Sequence, residues 1–187
     1  MVTTKSYKLL VVDDENSVLQ SYLSVLITVV ESSDDERLAG LEAELFGAPH
    51  VTPEVSFTVT VCTQGDEAVE RVEQSFAMSD GCRFSVVFID MRMPPGTHGL
   101  EAANRIHEAD SAVKIVIVTG NSDFAIDQIK AAFPPTAEVY YVQKPFDGND
   151  IRTLASALSK QWDGENITDP DEQAVLVRYT IQNIQAA

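Results

Sequence analysis

Leu9 to Glu15 read LLVVDDE: an apolar run that breaks into three consecutive acids. A short apolar run without alternation is the signature of a strand covered on both faces, as in a parallel sheet. The spacing predicts that strand at Lys8–Val12, with Asp13, Asp14 and Glu15 at its tip. Three like charges at the end of a buried strand need a compensating partner, and that requirement organises the rest of the reading.

Four more strands follow along the chain. Val55–Val61 (VSFTVTV) alternates as a half-exposed strand does. Phe84–Ile89 (FSVVFI) ends on Asp90, Lys114–Val118 (KIVIV) ends on Thr119, and Val139–Val142 leads to Lys144-Pro145. Between them, apolar residues recur at helical spacing. The sets are Leu19, Tyr22, Leu23, Leu26 and Val30; Ala68, Val69, Val72 and Phe76, opened by Gly65; Leu100, Ala103 and Ile106; Ala125, Ile126, Ile129 and Phe133; and Ile151, Leu154 and Leu158.

Strands alternating with helices imply right-handed crossovers and a parallel sheet. The expected fold is α/β, a flavodoxin-like doubly wound five-stranded parallel sheet in the order 2-1-3-4-5 with helices on both faces. Such folds bind ligands beyond the carboxyl ends of the strands. The expected domain spans 1–162. An inserted excursion at 31–54 opens acidic, carries a short helical pattern (Leu38, Leu41, Leu45, Phe46) and closes with Gly and Pro. Residues 163–187 begin as a linker, after which Ala174, Val177, Ile181 and Ile184 predict a C-terminal helix. That helix either packs on its own domain or serves as a connector or dimerising element.

Bulk properties narrow the function classes. The net charge is −16 over 187 residues. Phosphate-rich surfaces are repelled by such a chain, so neither direct nucleic-acid binding nor docking on an anionic membrane is expected. The two cysteines, Cys62 and Cys82, suit neither a disulfide scaffold nor a zinc site. Cys62 reads as a reduced core thiol. No signal-peptide h-region and no apolar run of membrane-spanning length is present, and the expected compartment is the cytoplasm. The histidines His50, His98 and His107 are scattered without metal-ligand spacing and read as surface or boundary residues.

In the expected fold Asp13, Asp14, Asp90, Thr119 and Lys144 come from four strands to one edge of the sheet. Carboxylates brought together there repel unless a cation intervenes. An all-oxygen, hard-ligand site suits Mg²⁺, with Mn²⁺ as an alternative occupant. Beside such a cation, Asp90 has the makings of a nucleophile toward phosphorus. The metal and the Lys144 ammonium would offset charge on a transferring phosphoryl group. The Thr119 hydroxyl is placed to hydrogen-bond a phosphoryl oxygen.

The fragments VVDDE (Asp13, Asp14), FIDMRMPPG (Asp90), IVTG (Thr119) and QKPF (Lys144, Pro145), in this order, resemble the CheY-like receiver domain of two-component response regulators. The resemblance covers roughly Tyr7 to Trp162, interrupted by the excursion. It implies that Asp90 is the phosphoacceptor. It implies that Asp13, Asp14, Asp90 and the backbone carbonyl of Arg92 hold the metal. Thr119 would be the switch hydroxyl, Lys144 the phosphate-sensing amine, Tyr141 the aromatic that changes rotamer, and Pro145 the site of a cis peptide. Tyr140 is expected on the other face of its strand. Arg92 and Asn121 occupy the positions that tune phosphoryl lifetime. The implied partners are a sensor histidine kinase or phosphotransfer protein and an output domain or downstream protein, with a homodimer as a further option. The implied switch surface is formed by the fourth helix, fifth strand and fifth helix. The chain would phosphorylate and dephosphorylate itself without turning over an external substrate.

Departures from the family pattern are visible. LEAELFG and DMRMPPG resemble a subgroup with a long connection before the second strand, in which the receiver often leads a cyclic-di-GMP enzyme or a histidine kinase. Neither a GGDEF-like loop nor a kinase ATP site occurs in these residues. MPPGTHG is one residue longer than the common loop, and FPPTAE replaces the usual small-residue exit of the fourth helix. Two other functions compete. A haloacid-dehalogenase-like phosphatase wants a second Asp two residues after its nucleophile, and Arg92 stands there. An interaction module independent of phosphorylation needs none of the pocket residues, all of which are present.

Overall fold

The structure is a computed structural model that describes residues 4–27, 55–78, 83–94, 98–120 and 126–181. The elements are β1 (Lys5–Val12), α1 (Asn16–Leu26), β2 (Val55–Cys62), α2 (Gly65–Ala77), β3 (Val86–Asp90), α3 (Gly99–Ala109), β4 (Lys114–Thr119), α4 (Ile126–Ala132), β5 (Val139–Gln143), α5 (Gly148–Trp162) and α6 (Pro170–Tyr179). The five strands are parallel in the order β2-β1-β3-β4-β5, the doubly wound topology of the flavodoxin-like class. The excursion at 31–54, Cys82, His50 and Asn121 lie outside the described residues, as do Val30, Ala125 and Ile184.

Each central strand is apolar on both sides because a helix layer covers each side. Leu9 and Val11 of β1, Val86 and Phe88 of β3, and Val116 and Val118 of β4 face one cluster with Leu19, Tyr22 and Leu26 of α1 and Ile151, Leu154 and Leu158 of α5. The alternate residues Leu10, Val12, Val87, Ile89, Ile115 and Ile117 face the other, with Val69 and Val72 of α2, Ala102 and Ile106 of α3 and Ile129 of α4. Period-two alternation thus feeds two cores from one set of strands. Tyr140 falls in the first and Tyr141 packs against the second, on opposite faces as expected.

Two helix faces differ from expectation. On α2 the inward set continues through Ser75, not Phe76, which is 52% exposed. The Ser75 hydroxyl donates to the Val72 carbonyl at 2.8 Å, so a small polar residue sits inside at no hydrogen-bonding cost. Phe76 instead lies against the Arg83 guanidinium, 5.0 Å from the ring centroid. On α6 the buried positions are Glu172, Val175 and Leu176, while Ala174 is exposed and Val177 is 62% exposed. The inward face was missed because its first member is charged.

The residues after α5 return onto the domain. Gly164, at φ 79°, takes the left-handed turn that ends α5, a conformation that favours glycine. Lys5 then pairs with Asp163 and Glu165. The Asp169 carboxylate caps α6 by accepting the N–H groups of Asp171 and Glu172, and Pro170 occupies the first helical position. The helix lies on α5, and Thr180 beyond it forms an antiparallel bridge with Tyr140 at the outer edge of β5. Among the described residues no helix is long and apolar enough to cross a membrane.

Candidate functional site

Four strand ends build the site. Asp13 follows β1, and its N–H still pairs with the Cys62 carbonyl at 3.1 Å. Asp90 is the last residue of β3 and is paired with Val118, one residue short of Thr119 at the end of β4. Lys144 follows β5, its N–H donating to the Thr119 carbonyl at 2.8 Å. The parallel register therefore delivers all four residues to the carboxyl edge. Asp13, Asp90 and Thr119 are buried there, while Asp14 is exposed.

The Lys144 ammonium bridges the two aspartates, with Nζ donating to Asp13 Oδ2 at 2.6 Å and to Asp90 Oδ1 at 2.7 Å. Each carboxylate's other oxygen accepts the backbone N–H two residues on. Glu15 donates to Asp13 Oδ1 at 3.0 Å and Arg92 to Asp90 Oδ2 at 2.6 Å. These local turns are a habit of aspartate at strand exits. The Lys144–Pro145 peptide is cis. Burial is the largest influence on the Lys144 amine and pulls its pKa down, but the two carboxylates together hold it above the ordinary lysine value. Burial raises Asp13 above the usual carboxylate range. The lysine and the Glu15 N–H oppose that rise, and the Asp90 charge adds to it.

Comparison with known proteins bears directly on this arrangement. The family model described as "Response regulator receiver domain" matches residues 50–156, more than half of the chain. The chain belongs to the response regulator receiver family. A curated relative, the "Positive alginate biosynthesis regulatory protein" of Pseudomonas aeruginosa, is 32% identical over 138 residues. That alignment covers 74% of this chain and 46% of the relative, so the chain matches less than half of that protein's length. Among solved structures, a CheY-like receiver domain protein from Methanospirillum hungatei shares the fold with a TM-score of 0.58 at 19% identity, covering 88% of this chain and 100% of its own. The N-terminal domain of a response regulator/sensory box/GGDEF protein from Carboxydothermus hydrogenoformans has a TM-score of 0.55 at 18% identity, covering 84% and 97%.

The match to the receiver model begins at residue 50, so β1 and the Asp13–Asp14 pair fall outside it. What joins them to Asp90 is the pairing of β1 with β3, Val12 beside Ile89. The receiver thus carries its lysine, threonine and both buried aspartates at one edge. Among the described residues no three acidic, histidine or cysteine side chains form a ready metal cluster. The donor chemistry nonetheless fits a hard cation. Two buried carboxylates already share one positive charge, and Asp14 follows Asp13 in the chain.

Other residues read from sequence fall around this edge. Arg92 is exposed, with its backbone N–H donating to Asp90. Tyr141 is half-buried. His98 precedes α3 and is exposed, and His107 packs edge-on to Phe133 at 6.0 Å between ring centroids. Cys62 is buried, and burial pushes its thiol up to about 12.

Two residues at the site escaped the sequence reading. Gly99 opens α3 with its N–H on the Met91 carbonyl at 3.2 Å, and a Cβ there would collide with the Asp90 carbonyl. Only glycine lets the helix close this tightly against the end of β3. A glycine at the start of a helix after a proline-rich loop was the available signal. Tyr22 is 1% exposed, wedged between Phe88 and Phe146 with ring centroids at 5.5 and 4.8 Å. Its hydroxyl has no hydrogen-bond partner among the described residues. Burial first, then the Asp13 and Asp90 charges, drive its pKa well above the ordinary tyrosine value. In the sequence it reads as one more apolar-face residue.

Proposed function

We propose that Asp90 accepts a phosphoryl group from a phosphohistidine of a sensor kinase or phosphotransfer protein. The observation that carries this reading is the Lys144 ammonium held between two buried carboxylates at the sheet's carboxyl edge. Each Asp90 oxygen accepts one hydrogen bond and keeps a lone pair. One of them attacks phosphorus, the P–N bond breaks, and the imidazole nitrogen departs with the electron pair. Lys144 stays within reach of the incoming anionic oxygens and offsets their charge. Thr119, buried at the neighbouring strand end, supplies a hydroxyl to a phosphoryl oxygen. Asp13, Asp14, Asp90 and the Arg92 carbonyl would hold Mg²⁺ (or Mn²⁺), whose bound charge neutralises phosphoryl oxygens in transfer. Hydrolysis reverses the bond: water attacks phosphorus, the P–O bond to Asp90 breaks, and inorganic phosphate leaves. Tyr141 follows Thr119 as the switch, and exposed Arg92 shields the phosphoryl group, so Arg92→Ala alters its lifetime. An output module that reads the switched state completes the pathway.

The test is intact mass after incubation with acetyl phosphate and Mg²⁺. The native chain gains one phosphoryl group, the gain requires the divalent cation, and Asp90→Asn shows none. Equal labelling of native and variant chains would overturn the assignment.

A further inference from the structure

The surface formed by α4, β5 and α5 is already occupied by the chain's own residues 170–181. The α6 helix lies antiparallel on α5 and is pinned at both ends by polar contacts. Near its start, buried Glu172 accepts the Ser156 hydroxyl at 2.6 Å and the Lys160 ammonium at 3.0 Å. Near its end, Tyr179 donates its hydroxyl to Asp150 at 2.7 Å, and Arg178 pairs with the same carboxylate. Val175 and Leu176 are buried on the α1–α5 side of the sheet. The chain then crosses the open edge of β5 through the Thr180–Tyr140 bridge. Ile181, 4% exposed, enters the core on the opposite side, at the groove lined by Ile129, Phe133, Pro134 and Val139. One short segment therefore contributes to both cores and crosses the β5 edge of the sheet at one bridge. An open edge is otherwise a template for pairing with another chain.

The anchor points of this strap flank the site lysine. Tyr140 precedes Lys144 by four residues in β5, and Asp150 follows it by six, in the first turn of α5. We infer that residues 170–181 are a strap seated in the resting chain and loosened when Asp90 carries a phosphoryl group. The inference rests on the phosphoacceptor reading of Asp90. A phosphoryl group competes with Asp13 for the Lys144 ammonium, and the backbone at 143–145 shifts with it. That shift moves β5 and α5, the two elements across which the strap is stretched. Two-sided seating is intolerant of such a shift, since Ile181 and Leu176 cannot both follow. The coupling is reciprocal, so loosening the strap favours phosphorylation.

The experiment is amide hydrogen exchange on the full chain, with and without Mg²⁺ and beryllofluoride, a phosphoryl mimic. Expected are added protection over 86–94, which reports site occupancy, and exchange about tenfold faster over 170–181. Asp150→Asn is expected to bring the fast exchange without the mimic and still to acquire the phosphoryl mass from acetyl phosphate. Glu172→Gln is a second variant should Asp150→Asn alter the circular dichroism of the native fold. Protection over 86–94 with unchanged or slower exchange over 170–181 overturns the strap and leaves the receiver chemistry standing. No protection over 86–94 and no phosphoryl mass would remove that chemistry and the coupling together.

Discussion

Among the described residues Lys144 and Lys160 are both held against buried carboxylates, and they make an instructive pair. Lys144 is 17% exposed, with Asp13 and Asp90 at 2% and 8%; Lys160 is 15% exposed, with Glu172 at 9%. Depth and distances are alike. The difference lies on the carboxylate side. Glu172 is a single carboxylate that accepts both the Lys160 ammonium and a serine hydroxyl. Lys144 meets two carboxylates, so a negative charge is left over and confined. A buried carboxylate satisfied by donors of the neighbouring helix fixes geometry, here that of α6 on α5. A site with two carboxylates around one ammonium is unbalanced and favours a further cation.

The largest effect should come from removing the cation at the unbalanced site. Lys144→Met leaves Asp13 and Asp90 facing each other without compensation, and a loss of about 3–5 kcal/mol is expected in urea unfolding at neutral pH. Millimolar Mg²⁺ should recover much of it. Mild acidification should also help. Asp13 already has a raised pKa in the folded chain, so the folded state binds its proton before the unfolded state does. Stability therefore rises as pH falls through the folded value. Urea midpoints at neutral and mildly acidic pH, with and without Mg²⁺, check both signs. A variant as stable as the native chain in the absence of metal would erase the distinction between the two lysines.

The Glu172 contact should respond more modestly and without loss of the Asp90 chemistry. Glu172→Ala removes an acceptor shared by Lys160 and Ser156, and about 2–3 kcal/mol is expected in the same assay. The Asp90 adduct should still form from acetyl phosphate. Loss of labelling would show that this pair belongs to the reaction. The smallest effect is expected at Tyr22, which lies near the site in space yet makes no hydrogen bond to it. Tyr22→Phe removes a buried hydroxyl without a partner among the described residues, and a change between zero and about 1 kcal/mol of added stability is expected. A clear destabilisation would reveal a partner for the hydroxyl and enlarge the charged pocket by one group.

Much of this was legible before any fold was known. LLVVDDE, FSVVFID, KIVIVT and the KP dipeptide identify four strand exits and the groups they carry. Local patterns suffice there because a strand buried on both faces is continuously apolar and a functional strand end breaks that run abruptly. Legibility failed where a polar residue goes inside or an apolar one stays out. Phase at Phe76 was lost to Ser75, whose hydroxyl is satisfied by its own helix. At α6 it was lost to Glu172, which is inward only because Lys160 and Ser156 wait on α5. Gly99 was a glycine among loop residues until the Asp90 carbonyl was found against it.

By itself, then, the order of apolar runs and acids determined the parallel sheet, the strand ends and the residue types at one edge, because periodicity and abrupt polarity changes are local properties. Which charges meet, where the C-terminal segment lies and why residue 99 has no side chain were decided by the tertiary structure. Each depends on a partner far away in the chain, and a buried charge or a close backbone approach is tolerable only once that partner is in place.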